Sequence, residues 1–184
     1  MWPWGHFGFA FLLYWLYVRG RYRRPVQPAP AVAVVVGSLL ADVIDKPLHW
    51  IGVFPGGRYV GHSIVFALAV ISLVAVVALL LDRAAIATAF AIAHCSHLVA
   101  DLPPRALLGY PFGTEFLFWP FLSAREFTYN EQVFDPPSIV ELVVAPFTNP
   151  LPYSLLQIFL FVTAVALWYA DGCPGIEYLT GSEQ

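Results

Sequence analysis

The sequence predicts an all-α fold: one integral membrane domain of about five hydrophobic helices, with a long extramembrane connection before the last helix. The composition is 59% hydrophobic and only 11% charged, whereas about a quarter of the residues in a typical soluble domain are charged. Several apolar runs approach the roughly 20 residues that a helix needs to cross a bilayer. Proline-rich patches at Pro25–Pro30 and Pro103–Pro104 predict loops, because proline ends helices.

The apolar runs place the five helices in order along the chain. The first run, Phe7–Val18, is short and is extended only by the residues before it. The second is Ala31–Leu40 with its flanks, and the third is the uninterrupted run Ile64–Leu81. The fourth and fifth are Ala84–Ala100 and Leu151–Ala170. Residues 171–184 are expected to form a polar tail.

Residues 102–150 form the long connection. A loop of this length is usually functional or contains short structure of its own. Its aromatic residues, among them Trp119, suit the headgroup region of a membrane. We therefore expect short helices at the membrane interface.

A cluster of arginines orients the predicted helices. Arg19, Arg21, Arg23 and Arg24 follow the first apolar run, and the positive-inside rule places such a loop in the cytoplasm. We expect a multi-pass protein of the cell membrane and no cleavable signal peptide, since the charges follow the apolar run. Alternation then puts six ionisable residues at the extracytoplasmic face. They are His6, Asp42, Asp45, His62, His97 and Asp101.

Charge and cysteine usage exclude several classes of protein. The formal net charge is only −3, and nucleic-acid binding requires a basic face, so no direct nucleic-acid binding is expected. Cys95 and Cys173 lack the spacing of a cysteine metal site. The expected partners are the lipid bilayer and a small-molecule or lipid substrate.

His97 and Asp101 lie four residues apart at the end of the fourth predicted helix. This spacing places both side chains on one helical face, where they can share a metal ion. The alternative is a hydrogen-bonded pair that fixes helix packing. His94 lies one turn deeper and suits either ligation, orientation of a ligand, or packing.

Asp42 and Asp45 are three residues apart and also share a helical face. Two close carboxylates repel each other unless a cation or a proton lies between them. Lys46 is one candidate for that cation and a divalent metal is the other; which aspartate would be the main ligand stays open. Pro47 is expected to limit the helix, and His49 is expected to be an interfacial side chain.

His62 and His6 complete the candidate metal site. Imidazole and carboxylate groups are ligands of zinc and similar divalent metals, so we expect one or two ions, with Zn²⁺ favoured. An interfacial histidine is the alternative for His6. Ser63 is expected to cap the third helix. Nucleophilic catalysis by Ser63 is disfavoured because the chain has no G-x-S-x-G motif.

Further polar residues are candidates for catalysis and substrate binding. Asp45 and Glu115 are the candidate catalytic carboxylates, since carboxylates serve as general bases. Arg58 and Arg105 would hold an anionic substrate such as a phosphate, with lipid headgroup contact as the alternative. Thr114 is a further candidate for substrate contact.

Taken in order, the fragments GSLLADVIDKP, GHS, SHLVAD and GTEFLFWPF, after an early histidine, resemble the family of LexA-binding, inner-membrane-associated metal-dependent hydrolases. The sequences GSLLADVIDKPLHW and GGRYVGHS most resemble those of archaeal, particularly haloarchaeal, members. Ala41 stands where that family usually has proline. The similarity covers residues 1–122 and its matching positions are His6, Asp42, Asp45, His62, Ser63, His97, Asp101, Gly113, Thr114, Trp119 and Pro120.

The resemblance implies a zinc-dependent hydrolase in which metal-activated water attacks a phosphoester, with a lipid as one candidate substrate. The order of ligands is also distantly similar to zinc-dependent phospholipase C, a phosphodiesterase. No histidine follows His97, so a three-zinc centre is not expected. The alternatives are a regulatory or scaffold membrane protein with a structural metal, and a transporter. A transporter would require polar residues along both membrane halves.

Overall fold

A computed structural model describes residues 1–102, 113–122 and 151–181. The helices are α1 (Pro3–Tyr22), α2 (Pro28–Trp50), α3 (Ile64–Leu80), α4 (Ala84–Ala100), a 3₁₀ helix (Glu115–Phe118), α5 (Leu151–Ala170) and α6 (Glu177–Thr180). This described part contains no β-strand, which confirms the predicted all-α helical bundle. Arg105 and most of the long connection lie outside the described residues.

The helix boundaries follow local sequence signals. The Ser63 hydroxyl accepts a hydrogen bond from the Phe66 N–H at 3.1 Å, so Ser63 caps α3 as expected. Pro28 opens α2, where the missing proline N–H costs no intrahelical bond. α2 continues through Pro47 but ends three residues later at Trp50, which agrees with the expectation that this proline limits the helix.

α2 and α4 form the most extensive helix pair, with α1 packed on both of them, α3 on α4, and α5 on α1. Glycines permit close approach of the backbones. A Cβ at Gly37 would lie 2.8 Å from the Phe90 carbonyl oxygen. A Cβ at Gly8 would lie 2.7 Å from the Phe161 nitrogen. Small residues at helix contacts are typical of membrane bundles.

The outer surface of the bundle is apolar. Leu68, Leu73 and Leu79 of α3 are exposed, as are Phe159 and Val162 of α5. Such a continuous apolar exterior suits contact with lipid rather than water.

Among the described helices, two are long and apolar enough to cross a membrane. They are Pro28–Trp50 and, within α5, Tyr153–Ala170. Ile64–Leu80 and Ala84–Ala100 are shorter apolar helices. The five predicted apolar segments therefore all form helices, and two of them reach the length and hydropathy of a full span.

The bundle has two distinct ends. The start of α1, the ends of α2 and α4, and the start of α3 meet at one end, which we call the site end. The α1–α2 loop, the α3–α4 turn and α6 meet at the other end, which we call the arginine end. This arrangement gathers the predicted ligands at one end of the molecule.

Candidate metal centre

The imidazoles of His62 and His97 face each other, with their Nε2 atoms 3.1 Å apart. Their Nδ1 atoms already have hydrogen-bond partners. His97 Nδ1 lies 2.7 Å from the Ser38 carbonyl oxygen, which can only accept, so this nitrogen carries a hydrogen. His62 Nδ1 lies 2.7 Å from Asp45 Oδ2. In the neutral rings both Nε2 atoms therefore present lone pairs, which repel each other unless a cation lies between them.

Two carboxylates complete this group of lone pairs. Asp101 Oδ2 lies 3.2 Å from His62 Nε2, and Asp42 Oδ1 lies 3.4 Å from it. His97 Nε2 is 4.0 Å from Asp42 Oδ1. All four ligand atoms lie within 4.8 Å of one another, and all four residues are buried.

These distances fit a divalent ion. A tetrahedral zinc site with metal–ligand bonds of about 2.0–2.1 Å separates its ligand atoms by about 3.3 Å. The distances of 3.1, 3.2, 3.4 and 4.0 Å bracket that value. Asp42 Oδ1 is also buried without a hydrogen-bond partner, with Lys46 Nζ 3.5 Å away, and burial of a carboxylate oxygen without hydrogen bonds is costly. Asp42, His62, His97 and Asp101 thus form a donor set that suits a metal ion.

His6 lies beside this group of four. Its ring stacks on His97 with a centroid separation of 3.9 Å, and its Nε2 lies 3.2 Å from Asp101 Oδ1. Both ring nitrogens are buried and lack hydrogen-bond partners within the described part of the chain. His6 is therefore placed to ligate an ion that Asp101 also contacts.

Asp45 is arranged differently from Asp42. Its Oδ2 accepts the backbone N–H groups of Tyr59 at 2.8 Å and His62 at 3.2 Å, besides the His62 ring. Its Oδ1 accepts the Gly61 N–H at 2.9 Å. With these four hydrogen bonds, Asp45 holds the loop and the His62 imidazole in place. The geometry assigns the metal-facing position to Asp42.

The loop that carries His62 packs directly on α2. A Cβ at Gly61 would lie 2.7 Å from the Ala41 carbonyl oxygen, so only glycine allows this approach without a shift. Ser63 Oγ donates to the Val60 carbonyl at 2.9 Å. The hydroxyl therefore forms hydrogen bonds only with nearby backbone groups, which agrees with a capping role.

Asp101 is surrounded by cationic groups. Its Oδ1 accepts the amino group of Met1 at 2.7 Å, and its Oδ2 accepts Arg58 Nε at 3.0 Å. Burial opposes ionisation of Asp101, but Arg58, the terminal amine and His6 outweigh it and hold the pKa of this carboxyl well below its usual range. Asp101 is thus a carboxylate near neutral pH.

The pKa of His62 is shifted in the opposite direction to that of Asp101. Burial favours its neutral form, but the nearby carboxylates of Asp101, Asp42 and Asp45 outweigh burial and raise the pKa of His62 to about 10. Without a metal, a proton therefore occupies His62 and neutralises part of the carboxylate charge. A metal cation would take over that role, since ligation requires the neutral ring.

The 3₁₀ helix covers one side of the centre. The Phe116 ring lies 6.1 Å from the His62 ring, and the Arg58 guanidinium lies 5.7 Å from the Phe116 ring. Glu115 accepts the Gly113 N–H at 2.7 Å, so its carboxylate fixes its own turn. Thr114 directly precedes this helix.

The remaining polar candidates lie outside the group of four ligands. Lys46 Nζ is 3.5 Å from Asp42 Oδ1, so the lysine lies at the edge of the centre. His49 Nδ1 pairs with the Phe54 carbonyl at 3.1 Å. His94 Nδ1 lies 3.3 Å from the Gly37 carbonyl, and its ring stacks on Phe90.

Sequence reasoning missed three contacts of the site. They are the Ser38 carbonyl, the Met1 amine and the Phe116 ring. A backbone carbonyl and a terminal amine carry no residue-type signal, and the position of Phe116 depends on the path of the long connection. Only the position of Ser38, in the same fragment as Asp42, pointed towards the site.

Comparison with known proteins places the chain in a family. The family model described as YdjM inner membrane protein matches residues 1–172. No curated protein and no solved structure matches the chain. The family match confirms membrane association, while the LexA association, the archaeal likeness and the likeness to phospholipase C stay predictions. Since the match covers most of the sequence, this chain belongs to the YdjM inner membrane protein family.

Proposed function

We propose that the protein is a membrane-bound metal-dependent hydrolase that cleaves a phosphoester, with a lipid or lipid-linked molecule as substrate. The observation that carries the proposal is the meeting of two histidine Nε2 atoms and two carboxylates in one buried group. Such a ligand mix suits Zn²⁺. A bound divalent ion would lower the pKa of a water molecule towards about 7 and polarise the scissile bond.

The protein's own residues prepare the site for that chemistry. Asp45 fixes the His62 ring with Nε2 directed at the centre, and the Ser38 carbonyl does the same for His97. Such partners also raise the basicity of the ligating histidine. Asp42 and Asp101 supply the negative charge that balances a divalent ion.

Arg58 is the residue best placed to bind an anionic substrate. Only its Nε is engaged by Asp101, and its side chain is 25% exposed. No hydrogen bond of its terminal guanidinium nitrogens is found in the described part of the chain. Since the guanidinium fork matches phosphate oxygens, Arg58 can hold a phosphoester at the rim of the centre.

The position of the centre favours a substrate in or near the membrane. The ligands come from the ends of helices in a bundle with an apolar exterior. With the arginine end in the cytoplasm under the positive-inside rule, the site end faces the extracytoplasmic side. A headgroup phosphate at that surface would be close to the ligands.

The test combines metal content with turnover. Protein purified without chelators is assayed for bound metals by mass spectrometry and for hydrolysis of bis(p-nitrophenyl) phosphate and a short-chain phospholipid. We expect at least one equivalent of divalent metal and release of product, with both lost in His97→Ala. Absence of metal from the wild-type protein under these conditions would overturn the proposal.

A structural metal in a non-enzymatic regulatory or scaffold protein is the second candidate. The observation that favours it is the burial of the centre: the His62 and His97 side chains are 0% exposed, and those of Asp101 and Asp42 are 2% and 10% exposed. Closed four-coordinate zinc sites are typically structural, whereas catalytic sites keep an open position.

Cobalt substitution separates the two candidates. Co²⁺ absorbs strongly in the visible range when four-coordinate and weakly when water raises its coordination number. A spectrum that changes on addition of inorganic phosphate would indicate an open position and support the hydrolase. A phosphate-insensitive four-coordinate spectrum, together with absence of turnover, would favour the structural role.

A further inference from the structure

We propose that the arginine end contains a second site, which binds a phosphate-bearing anion of the kind that an anionic lipid headgroup presents. A cavity of about 540 Å³ opens there between the α1–α2 loop, the start of α2 and the start of α4. This volume lies within the usual range of about 300–1,000 Å³ for small-molecule sites. The cavity and the metal centre lie at opposite ends of α2.

The cavity lining carries a positive charge. Arg24 and Arg83 line it, and Asp82 is the acidic residue among them. Within the described residues neither arginine is within ion-pair distance of a carboxylate. The Arg24 guanidinium lies over the Tyr22 ring at 5.1 Å, which leaves its N–H groups available. Arginine forks bind phosphate oxygens in a bidentate manner.

The N-terminal ends of two helices add to this positive charge. α2 begins at Pro28 and α4 at Ala84, both of which line the cavity. Neither start has a side-chain capping hydrogen bond. The N-terminal end of a helix carries a partial positive charge, which favours an anion. At α2 the free N–H is that of Ala29, because Pro28 and Pro30 have none.

Tyr14 provides independent evidence for a ligand. It lines the cavity although it is only 3% exposed. Its hydroxyl forms no hydrogen bond with any residue that the structure describes, whereas the neighbouring Tyr17 and Tyr22 hydroxyls pair at 3.3 Å. A phosphate oxygen in the cavity would accept the O–H of this largely buried side chain.

Location and size favour the headgroup as the source of the phosphate. The positive-inside rule places this end at the cytoplasmic leaflet, where basic pockets between membrane helices bind anionic headgroups. The cavity also has more room than a phosphate group alone would fill. The charge, the helix ends and the Tyr14 hydroxyl recognise the phosphate itself, whichever molecule carries it.

Titration calorimetry on the full-length protein in neutral detergent tests the site. The probes are dihexanoyl phosphatidylglycerol, inorganic phosphate and, as the zwitterionic reference, dihexanoyl phosphatidylcholine. We expect the phosphatidylglycerol to bind at least about tenfold more tightly than the reference. Arg83→Gln and Arg24→Gln should each weaken it by about tenfold or more, since each removes a charge-assisted hydrogen-bond donor. Tyr14→Phe, which removes only the hydroxyl, should weaken it about threefold to tenfold.

Arg23→Gln is the matched control. Arg23 belongs to the same loop and is exposed, but it does not line the cavity, so this variant should bind like the wild type. Helical circular dichroism verifies the fold of each variant. Binding of phosphatidylglycerol alone, or of inorganic phosphate as well, supports the site and identifies the source of the anion. Equal binding by Arg83→Gln and Arg23→Gln, or binding of neither anion, would overturn the proposal.

Discussion

Replacement of Asp45 by asparagine tests whether this residue orients His62 or ligates the metal. Asparagine keeps the shape of the side chain but replaces one acceptor oxygen with an NH₂ donor. Asp45 accepts three N–H groups at Oδ2 and one, from Gly61, at Oδ1. The best placement of the amide puts its oxygen at the Oδ2 position and leaves the Gly61 N–H facing another donor.

The expected magnitudes follow from those contacts. Loss of a partner that orients a metal-binding histidine lowers metal affinity by about 10- to 100-fold, which is about 1.4–2.7 kcal/mol. The buried Gly61 donor left unpaired costs a further 1–3 kcal/mol or so of folding stability. Asp45→Asn should therefore still bind metal, but more weakly, and should unfold more readily.

Competition with a chromophoric zinc chelator measures the affinity, and thermal unfolding measures the stability. Asp171→Asn is a matched control, because Asp171 is an equally buried carboxylate that accepts the Val26 N–H at the arginine end. This variant should lose stability and keep its affinity for zinc. Unchanged zinc affinity in Asp45→Asn would refute the orienting role, and complete loss of zinc would make Asp45 a ligand.

Three other outcomes follow from the structure. His97→Ala should abolish stoichiometric metal binding, whereas His94→Ala should retain it, as measured by metal analysis. Loss of metal in both variants would place His94 among the ligands. Gly8→Ala should destabilise the fold by 1–3 kcal/mol or so through overpacking at α5. Gly20→Ala, whose added Cβ meets nothing within 4 Å, should raise stability by about 0.5–1 kcal/mol. Chemical denaturation measures both changes, and equal effects of the two substitutions would contradict the packing. Because His62 has its pKa raised from 6.5 to about 10, its proton stabilises the metal-free fold fully below pH 6.5, and this contribution is lost as the pH rises through 10. A metal must displace that proton, so zinc affinity should rise about tenfold per pH unit between pH 7 and 9, and a pH-independent affinity would contradict this.

Much of the fold could be predicted because helix formation here follows local patterns. The uninterrupted run from Ile64 and the run Ala84–Ala100 correspond closely to α3 and α4. Pro47 was expected to limit α2, and the helix ends three residues after it. The spacing of His97 and Asp101 predicted a shared helical face, and both side chains do reach the same group of ligands.

The sequence by itself determined the helices, the apolar exterior and the set of ionisable residues from which the site is built. Tertiary structure alone decided which carboxylate faces the other ligands and which one holds the loop. Asp42 and Asp45 are chemically identical and three residues apart, and they differ only because the loop before α3 folds back and directs its N–H groups at Asp45. The same folding brings Arg58 to Asp101 and His62 to His97. Contacts between residues 35 or more positions apart depend on how helices pack, and a local pattern of residues carries no record of that packing.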